Sequence, residues 1–176
     1  MLCNRGANGI DGTVSSAFGA AAAGGGPVVL LIGDVALAHD VGGLLAARRL
    51  ALKLTIVLID NGGGGIFDFL PVSRAAAARR ELPSESERRA SGPPAADEQD
   101  LYTRHIATPT GLDFAHAAAL YGLTHERVAD RPALRGALER AFGGERSTLI
   151  EVRDERAANA ELHGRIWRAV ASALAS

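Results

Sequence analysis

Short apolar runs alternate along the chain with longer stretches whose apolar residues recur at helical spacing. Residues 28–32, VVLLI, form an unbroken apolar run closed by Gly33, the pattern of a strand buried on both faces. Residues 54–59, LTIVLI, repeat that pattern. Between them, residues 36–52 place Leu37, Val41, Leu44, Leu45 and Leu52 near one helical face, with Arg48 and Arg49 facing out. A strand, a helix and a strand in that order predict a parallel pair with a right-handed crossover. Upstream, 12–23 reads as a helix that Asp11 could cap. Downstream, Asp113 could begin a helix that Gly122 ends, and HERV at 125–128 suits a short strand. Pro132 sits where a further helix would start, and Gly143-Gly144 would stop it. TLIEV closes a third buried strand over 147–152, and 157–175 reads as a final amphipathic helix. The sum is an α/β, three-layer α/β/α arrangement with a mainly parallel sheet covered on both faces.

Residues 73–105 interrupt this alternation. They are polar, rich in Pro and Ser and dense in charges of both signs, which predicts a mobile excursion with one loose helix at most. A solvated loop is the plainer reading. A lid is the sharper one, because the segment follows closely on a run of four glycines.

Composition narrows the class. The chain has 176 residues, 47% of them hydrophobic and 22% charged, which suits one domain with a substantial core. Its formal net charge of −1 gives no general attraction to nucleic acid or to an anionic membrane. The longest apolar run is too short to span a bilayer, and no signal-peptide pattern opens the sequence. One cysteine, Cys3, excludes a disulfide framework and favours a cytoplasmic setting. With no activating neighbour in sequence, Cys3 reads as a packing residue.

The chemistry should lie beyond the carboxyl ends of the strands, where open parallel sheets bind ligands. One strand runs into Gly33-Asp34 and the next into Asp60-Asn61, followed by Gly62 to Gly65. Either pair alone describes an ordinary turn. Together, 61 − 34 = 27 residues apart with a helix and a strand between, they would bring a carboxylate and an amide oxygen to one cation. With a main-chain carbonyl freed by the glycines, that is a hard oxygen set. It suits Mg²⁺, which then completes its octahedron with phosphate oxygens and water. No G-x-x-x-x-G-K-[ST] is present, and GAAAAGGG precedes a strand where a dinucleotide fingerprint should follow one. No Cys/His cluster suggests zinc.

GDVALAHD followed by LIDNGGGGIF resembles the thiamine diphosphate motif, a Gly-Asp, a spacer of about thirty residues, and Asn. With NRGANGIDG near the start, the chain is similar to the C-terminal cofactor-binding domain of the MenD family, the 2-succinyl-5-enolpyruvyl-6-hydroxy-3-cyclohexene-1-carboxylate synthases of menaquinone biosynthesis. GIFDFLP, TPTGLDFAHAAALYGL and TLIEVRDERAANAELH extend the resemblance over nearly the whole chain outside 73–105.

The resemblance implies a thiamine diphosphate-binding fold over 1–176 and a residue-by-residue site. Asp34 and Asn61 would be side-chain ligands of Mg²⁺, with Mn²⁺ as a substitute, and Gly63 would give its main-chain carbonyl. Gly33 and Val35 would line the diphosphate through their backbones. Ile10 would push the cofactor into its bent form, and Ile66, Phe67 and Leu70 would form an apolar wall over ring and substrate. Arg5 would pair with a substrate carboxylate as a bidentate fork. The implied reaction decarboxylates 2-oxoglutarate and adds the remaining unit to isochorismate. In this family the cofactor is activated by a glutamate on a separate pyrimidine-binding domain, usually across a subunit interface. That domain is absent here, so no catalytic residue is assigned to this chain. It is expected to need that domain or subunit, in a homo- or hetero-oligomer, to turn over. Gly65 and Ala36 stand where the family often has polar residues. A cofactor-binding subunit of another split 2-oxo acid decarboxylase, or an inactive remnant, are the alternatives.

Overall fold

The computed structural model of the chain describes Cys3, residues 9–70 and residues 102–175. It divides into two compact units, one formed by the chain up to 61 with 110–154, the other by 62–109 with 155–176.

The first unit holds four strands, β1 (Val29–Gly33), β2 (Thr55–Asp60), β3 (Thr124–Val128) and β4 (Thr148–Arg153). They form one sheet in the order β1-β2-β4-β3, and every neighbouring pair is parallel. Each strand coincides with a run that the sequence marks. Its helices are α1 (Thr13–Ala22), α2 (Asp34–His39), α3 (Leu45–Leu50), α4 (Phe114–Tyr121) and α5 (Arg131–Gly143).

Two apolar clusters form on this sheet. Because side chains alternate along a strand, the register Ile56↔Leu149 sends both to one face. There, with Ile32 and Leu58, they meet Val14, Phe18, Leu37, Leu44, Phe114 and Ala118. Ile150 and Val128 point to the opposite face and pack on Ala137 and Ala141 of α5. Burying each large aliphatic side chain contributes roughly 1.5–3 kcal/mol. A one-residue slip would exchange the two faces, so this burial sets the register.

Four expectations are corrected. Residues 28–32 are not buried throughout: Val29 is 47% and Leu31 68% exposed. β1 is an edge strand, and α5 packs on β2, β3 and β4, which leaves one side of β1 uncovered. The helix expected over 36–52 is three pieces, α2, a 3₁₀ turn at Val41–Leu44 and α3. Gly42-Gly43 weakens the helix there, and a Cβ on Gly43 would lie 2.8 Å from Ser15 Oγ, so the turn packs too closely on α1 for larger residues. Asp11 does not cap α1. Gly12 holds the N-cap position in a left-handed conformation, and the side chain that accepts from the first turn belongs to Asp40. Cys3, read as a packing residue, is exposed.

The other signals hold. Asp113 Oδ1 accepts from Ala115 N–H at 3.0 Å, and Gly122 ends α4 with φ 77°. Asp130 caps α5 through Ala133 N–H at 2.8 Å, with Pro132 in the first turn.

Among the described residues the second unit holds a 3₁₀ turn at Gly65–Phe69, a π-helical turn at Thr103–Ala107 and α6 (Arg156–Leu174). Glu155 caps α6 by accepting from Ala158 N–H at 2.9 Å. Phe69 packs against the rings of His163 and Trp167, and Tyr102 donates to Asp68 Oδ1 at 2.6 Å. The amphipathic stripe of α6 is present in sequence but not buried, and Leu162, Ile166 and Val170 stay exposed. Of the excursion expected over 73–105, residues up to 101 lie outside the described residues, and the end of the segment enters the turn at Thr103–Ala107. Among the described residues, no helix is long and apolar enough to cross a membrane.

Candidate functional site

All four strands are parallel, so their carboxyl ends share one edge of the sheet. Gly33 pairs with Ile59 across β1 and β2, which brings Asp34 level with the end of β2. Asp34 is the first residue of α2 and is only 2% exposed. Asn61 follows β2 directly. Its Oδ1 is buried and has no hydrogen-bond partner. A buried amide oxygen left unpaired costs about 1–3 kcal/mol, so this oxygen is an acceptor on offer at the strand end. Asp34 and Asn61, predicted to share a cation, thus stand at the ends of neighbouring strands. Among the described residues no cluster of three His, Cys, Asp or Glu side chains could hold a metal. The donors on offer are a carboxylate and an amide oxygen, hard groups that fit Mg²⁺ better than softer ions.

Gly33 is exposed with an extended backbone, and Val35 is half-buried in the first turn of α2. Ile10 is half-buried in the turn before α1. Arg5 lies outside the described residues.

The remaining predicted residues belong to the second unit. Gly62 and Gly63 have φ of 73° and 125°, a region that side-chain-bearing residues rarely adopt. Gly63 is buried against the next turn, where an added Cβ would lie 2.3 Å from Ala107 O. Gly64 N–H donates to that same oxygen at 2.6 Å. The glycine run therefore serves a sharp reversal and a close backbone approach. The Gly63 carbonyl, predicted as a metal ligand, accepts from Gly65 N–H at 2.8 Å, which uses one of its two lone pairs. Ile66, Phe67 and Leu70 are exposed, Ile66 by 74%, so they are not core residues of this unit.

Sequence reasoning missed a charge network behind the strand ends. Glu151 of β4 is fully buried. It accepts from Arg127 Nε at 2.9 Å and Nη2 at 3.2 Å, from Arg153 Nε at 2.8 Å, and is hydrogen-bonded to His125 Nε2 at 2.8 Å. Burial pushes its carboxyl up, but donation by Arg127, Arg153 and His125 outweighs that and holds its pKa at about 2. Arg153 Nε also lies 3.7 Å from Asp60 Oδ2, and Asp154 N–H donates to Asp60 O at 3.0 Å. β4 therefore braces the last residue of β2, the one before Asn61. The only sequence signal was an acid inside an otherwise apolar strand, TLIEV.

The comparisons follow this geometry. Residues 4–152 match the family model described as thiamine pyrophosphate enzyme, C-terminal TPP binding domain. The 2-succinyl-5-enolpyruvyl-6-hydroxy-3-cyclohexene-1-carboxylate synthase of Myxococcus xanthus is 42% identical over 174 residues, 99% of this chain and 26% of that protein. The synthase of the same name from Geobacillus kaustophilus is 41% identical over 175 residues, again 99% and 26%. The chain thus spans about a quarter of the length of the curated relatives it matches. In fold it is similar to a thiamine diphosphate-dependent 4-hydroxybenzoylformate decarboxylase of Rhodococcus jostii. That match has a TM-score of 0.55 and 23% identity, and covers 80% of this chain and 22% of that one. A benzoylformate decarboxylase of Polynucleobacter necessarius matches with a TM-score of 0.53 and 21% identity, over 84% and 23%.

Proposed function

The chain belongs to the thiamine pyrophosphate enzymes, as a C-terminal cofactor-binding domain of that family, and from this premise we propose that it anchors the cofactor of a MenD-type synthase. The observation that carries the reading is the buried, unpartnered Oδ1 of Asn61 at the strand end beside the buried Asp34. Asp34 and Asn61 would hold Mg²⁺ through their side-chain oxygens, and Gly63, two residues further along the chain, through its main-chain carbonyl. Mn²⁺ would serve in its place. The ion would neutralise the diphosphate, whose oxygens the backbones of Gly33 and Val35 would line.

When bound, thiamine diphosphate supplies the nucleophilic carbon and the electron sink for decarboxylating a 2-oxo acid. The chain's own residues bind and orient. Ile10 would support the bent form of the cofactor, Ile66, Phe67 and Leu70 would exclude water from the ring, and Arg5 would pair with a substrate carboxylate. The substrates we assign are 2-oxoglutarate, which loses carbon dioxide, and isochorismate, which accepts the remaining four-carbon unit. The activating glutamate would come from a pyrimidine-binding domain or subunit, so the working form is an oligomer and this chain alone would not turn over. We assign it to the cytoplasm and to the transferases of menaquinone biosynthesis.

Calorimetric titration of the chain with thiamine diphosphate, with and without MgCl₂, tests the anchoring role. Saturable binding that requires the divalent ion is expected, and no binding under either condition would overturn it. Adding a pyrimidine-binding domain from a MenD relative, then 2-oxoglutarate with isochorismate or with other acceptors, tests the reaction. Turnover with another acceptor and none with isochorismate would reject the substrate assignment.

A further inference from the structure

The cofactor reading gives Ile10 a task but does not say what holds a turn residue firmly enough to perform it. Gly12 occupies the N-cap of α1 and has no side chain to satisfy the first-turn donors. Asp40 does so from the end of α2. Its Oδ2 accepts from Val14 N–H at 2.7 Å and Ser15 N–H at 3.1 Å, and its Oδ1 lies 3.5 Å from Ser15 Oγ. The adjacent His39 pairs through Nε2 with Asp11, the residue after Ile10. Just beyond, Gly43 packs so closely on α1 that a Cβ there would meet Val14 Cβ at 3.1 Å. Asp40 and His39 therefore tie the segment from Asp11 to Ser15, which follows Ile10 directly, to the end of the helix whose first residue is Asp34, and the 3₁₀ turn that follows packs on the same segment through Gly43. A cap supplied from within the Ile10 turn would have satisfied α1 equally well without making that tie.

We propose that Asp40 and His39 are positioning residues that clamp the Ile10 turn to α2. They thereby set the separation between the group that anchors a diphosphate and the residue that bends the ring attached to it. The proposal rests on the thiamine diphosphate reading. It deepens that reading by dividing the site in two: an anchor on Asp34 and Asn61, and a ring support whose side-chain hydrogen bonds to the end of α2 come from Asp40 and His39.

The test compares two probes by calorimetry on the full chain, thiamine diphosphate with Mg²⁺ and inorganic pyrophosphate with Mg²⁺. Pyrophosphate reports the anchor alone. In Asp40→Ala, thiamine diphosphate should bind at least about tenfold more weakly, while pyrophosphate stays within about twofold. His39→Gln should show the same split at smaller size, because the His39–Asp11 pair is solvent-exposed. Asp40→Asn keeps the size and one acceptor oxygen, and carries the test if Asp40→Ala does not fold. A parallel loss for both probes, tracking a fall in melting temperature, would make Asp40 an ordinary cap and overturn the proposal. Unchanged affinity for both would overturn it too. An unaltered chain that bound neither probe would sink the cofactor reading and this proposal together, whereas parallel losses sink the proposal alone.

Discussion

The strand ends that carry Asp34 and Asn61 and the glycine-led turn that carries Ile66 and Phe67 are built by opposite means. The first stand on a parallel sheet whose central strands are buried, and are braced from β4 by Arg153, Asp154 and Glu151. The second is a short turn held by backbone contacts to Ala107 and by the link from Asp68 to Tyr102, with its large apolar side chains exposed. The difference matches the tasks proposed for them. A metal–diphosphate anchor needs oxygen atoms at fixed positions, which a packed core provides. A wall over a variable substrate needs apolar surface that the fold does not use for itself.

The comparison breaks most sharply at Asp34. Asp34→Ala should weaken Mg²⁺-dependent thiamine diphosphate binding by at least about a thousandfold, or about 4 kcal/mol. Calorimetry checks this, and retained affinity would mean that the strand ends are not the anchor.

Glu151 sharpens the same side. Its carboxyl is depressed from 4.5 to about 2 in the fold, so its contribution is fully present above pH 4.5. It should be lost as pH falls from about 4.5 to about 2, up to about 3 kcal/mol in all, less whatever solvent screens at the half-exposed arginines. Denaturant unfolding at a series of pH values should show this loss in the native chain and not in Glu151→Gln. Equal acid sensitivity in both would remove the brace from the account.

The turn is tested by Gly63→Ala. A side chain there must occupy a positive φ and clash with Ala107 O, so the second unit should lose about 2 kcal/mol of local stability. Hydrogen exchange of the amides at 63–70 and 103–108 reads this directly, and unaltered protection would show that the glycines are not needed for the reversal.

The smallest effect is expected at Ile66 and Phe67. Because they are exposed, Ile66→Ser and Phe67→Ser should change unfolding free energy by no more than about 0.5 kcal/mol. In an assembly with a complementary pyrimidine-binding domain they should raise the KM for substrate. A large loss of stability would make them core residues and erase the contrast between the two regions.

Much of this was legible in the chain. Apolar runs marked β1, β2 and β4, because a strand in a parallel sheet has few solvent-facing positions, while the polar β3 (THERV) was marked only as a short strand candidate. Asp113, Gly122, Asp130 and Pro132 marked their helix ends because capping depends on residues a few positions apart. Local rules failed where the partner was remote in sequence. Nothing near Asp11 or Gly12 shows that Asp40 will cap α1, or that Gly43 will sit against Ser15 and divide the following helix. The exposure of Val29 and Leu31 was likewise hidden. An apolar run announces the capacity to be buried on both faces, while its place at the edge of the sheet decides whether both are covered.

The sequence by itself determined the strand set and the Gly-Asp and Asn-Gly pairs at two strand ends, since these depend on residue type and spacing. Tertiary structure alone decided that Asn61 keeps a buried, unpartnered oxygen, that Glu151 gathers Arg127, Arg153 and His125, and that Asp40 ties the start of α1 to the end of α2. Arg153 apart, which lies two residues from Glu151, these features join atoms 24 or more residues apart or depend on what fails to come near, and only chain packing in three dimensions settles that.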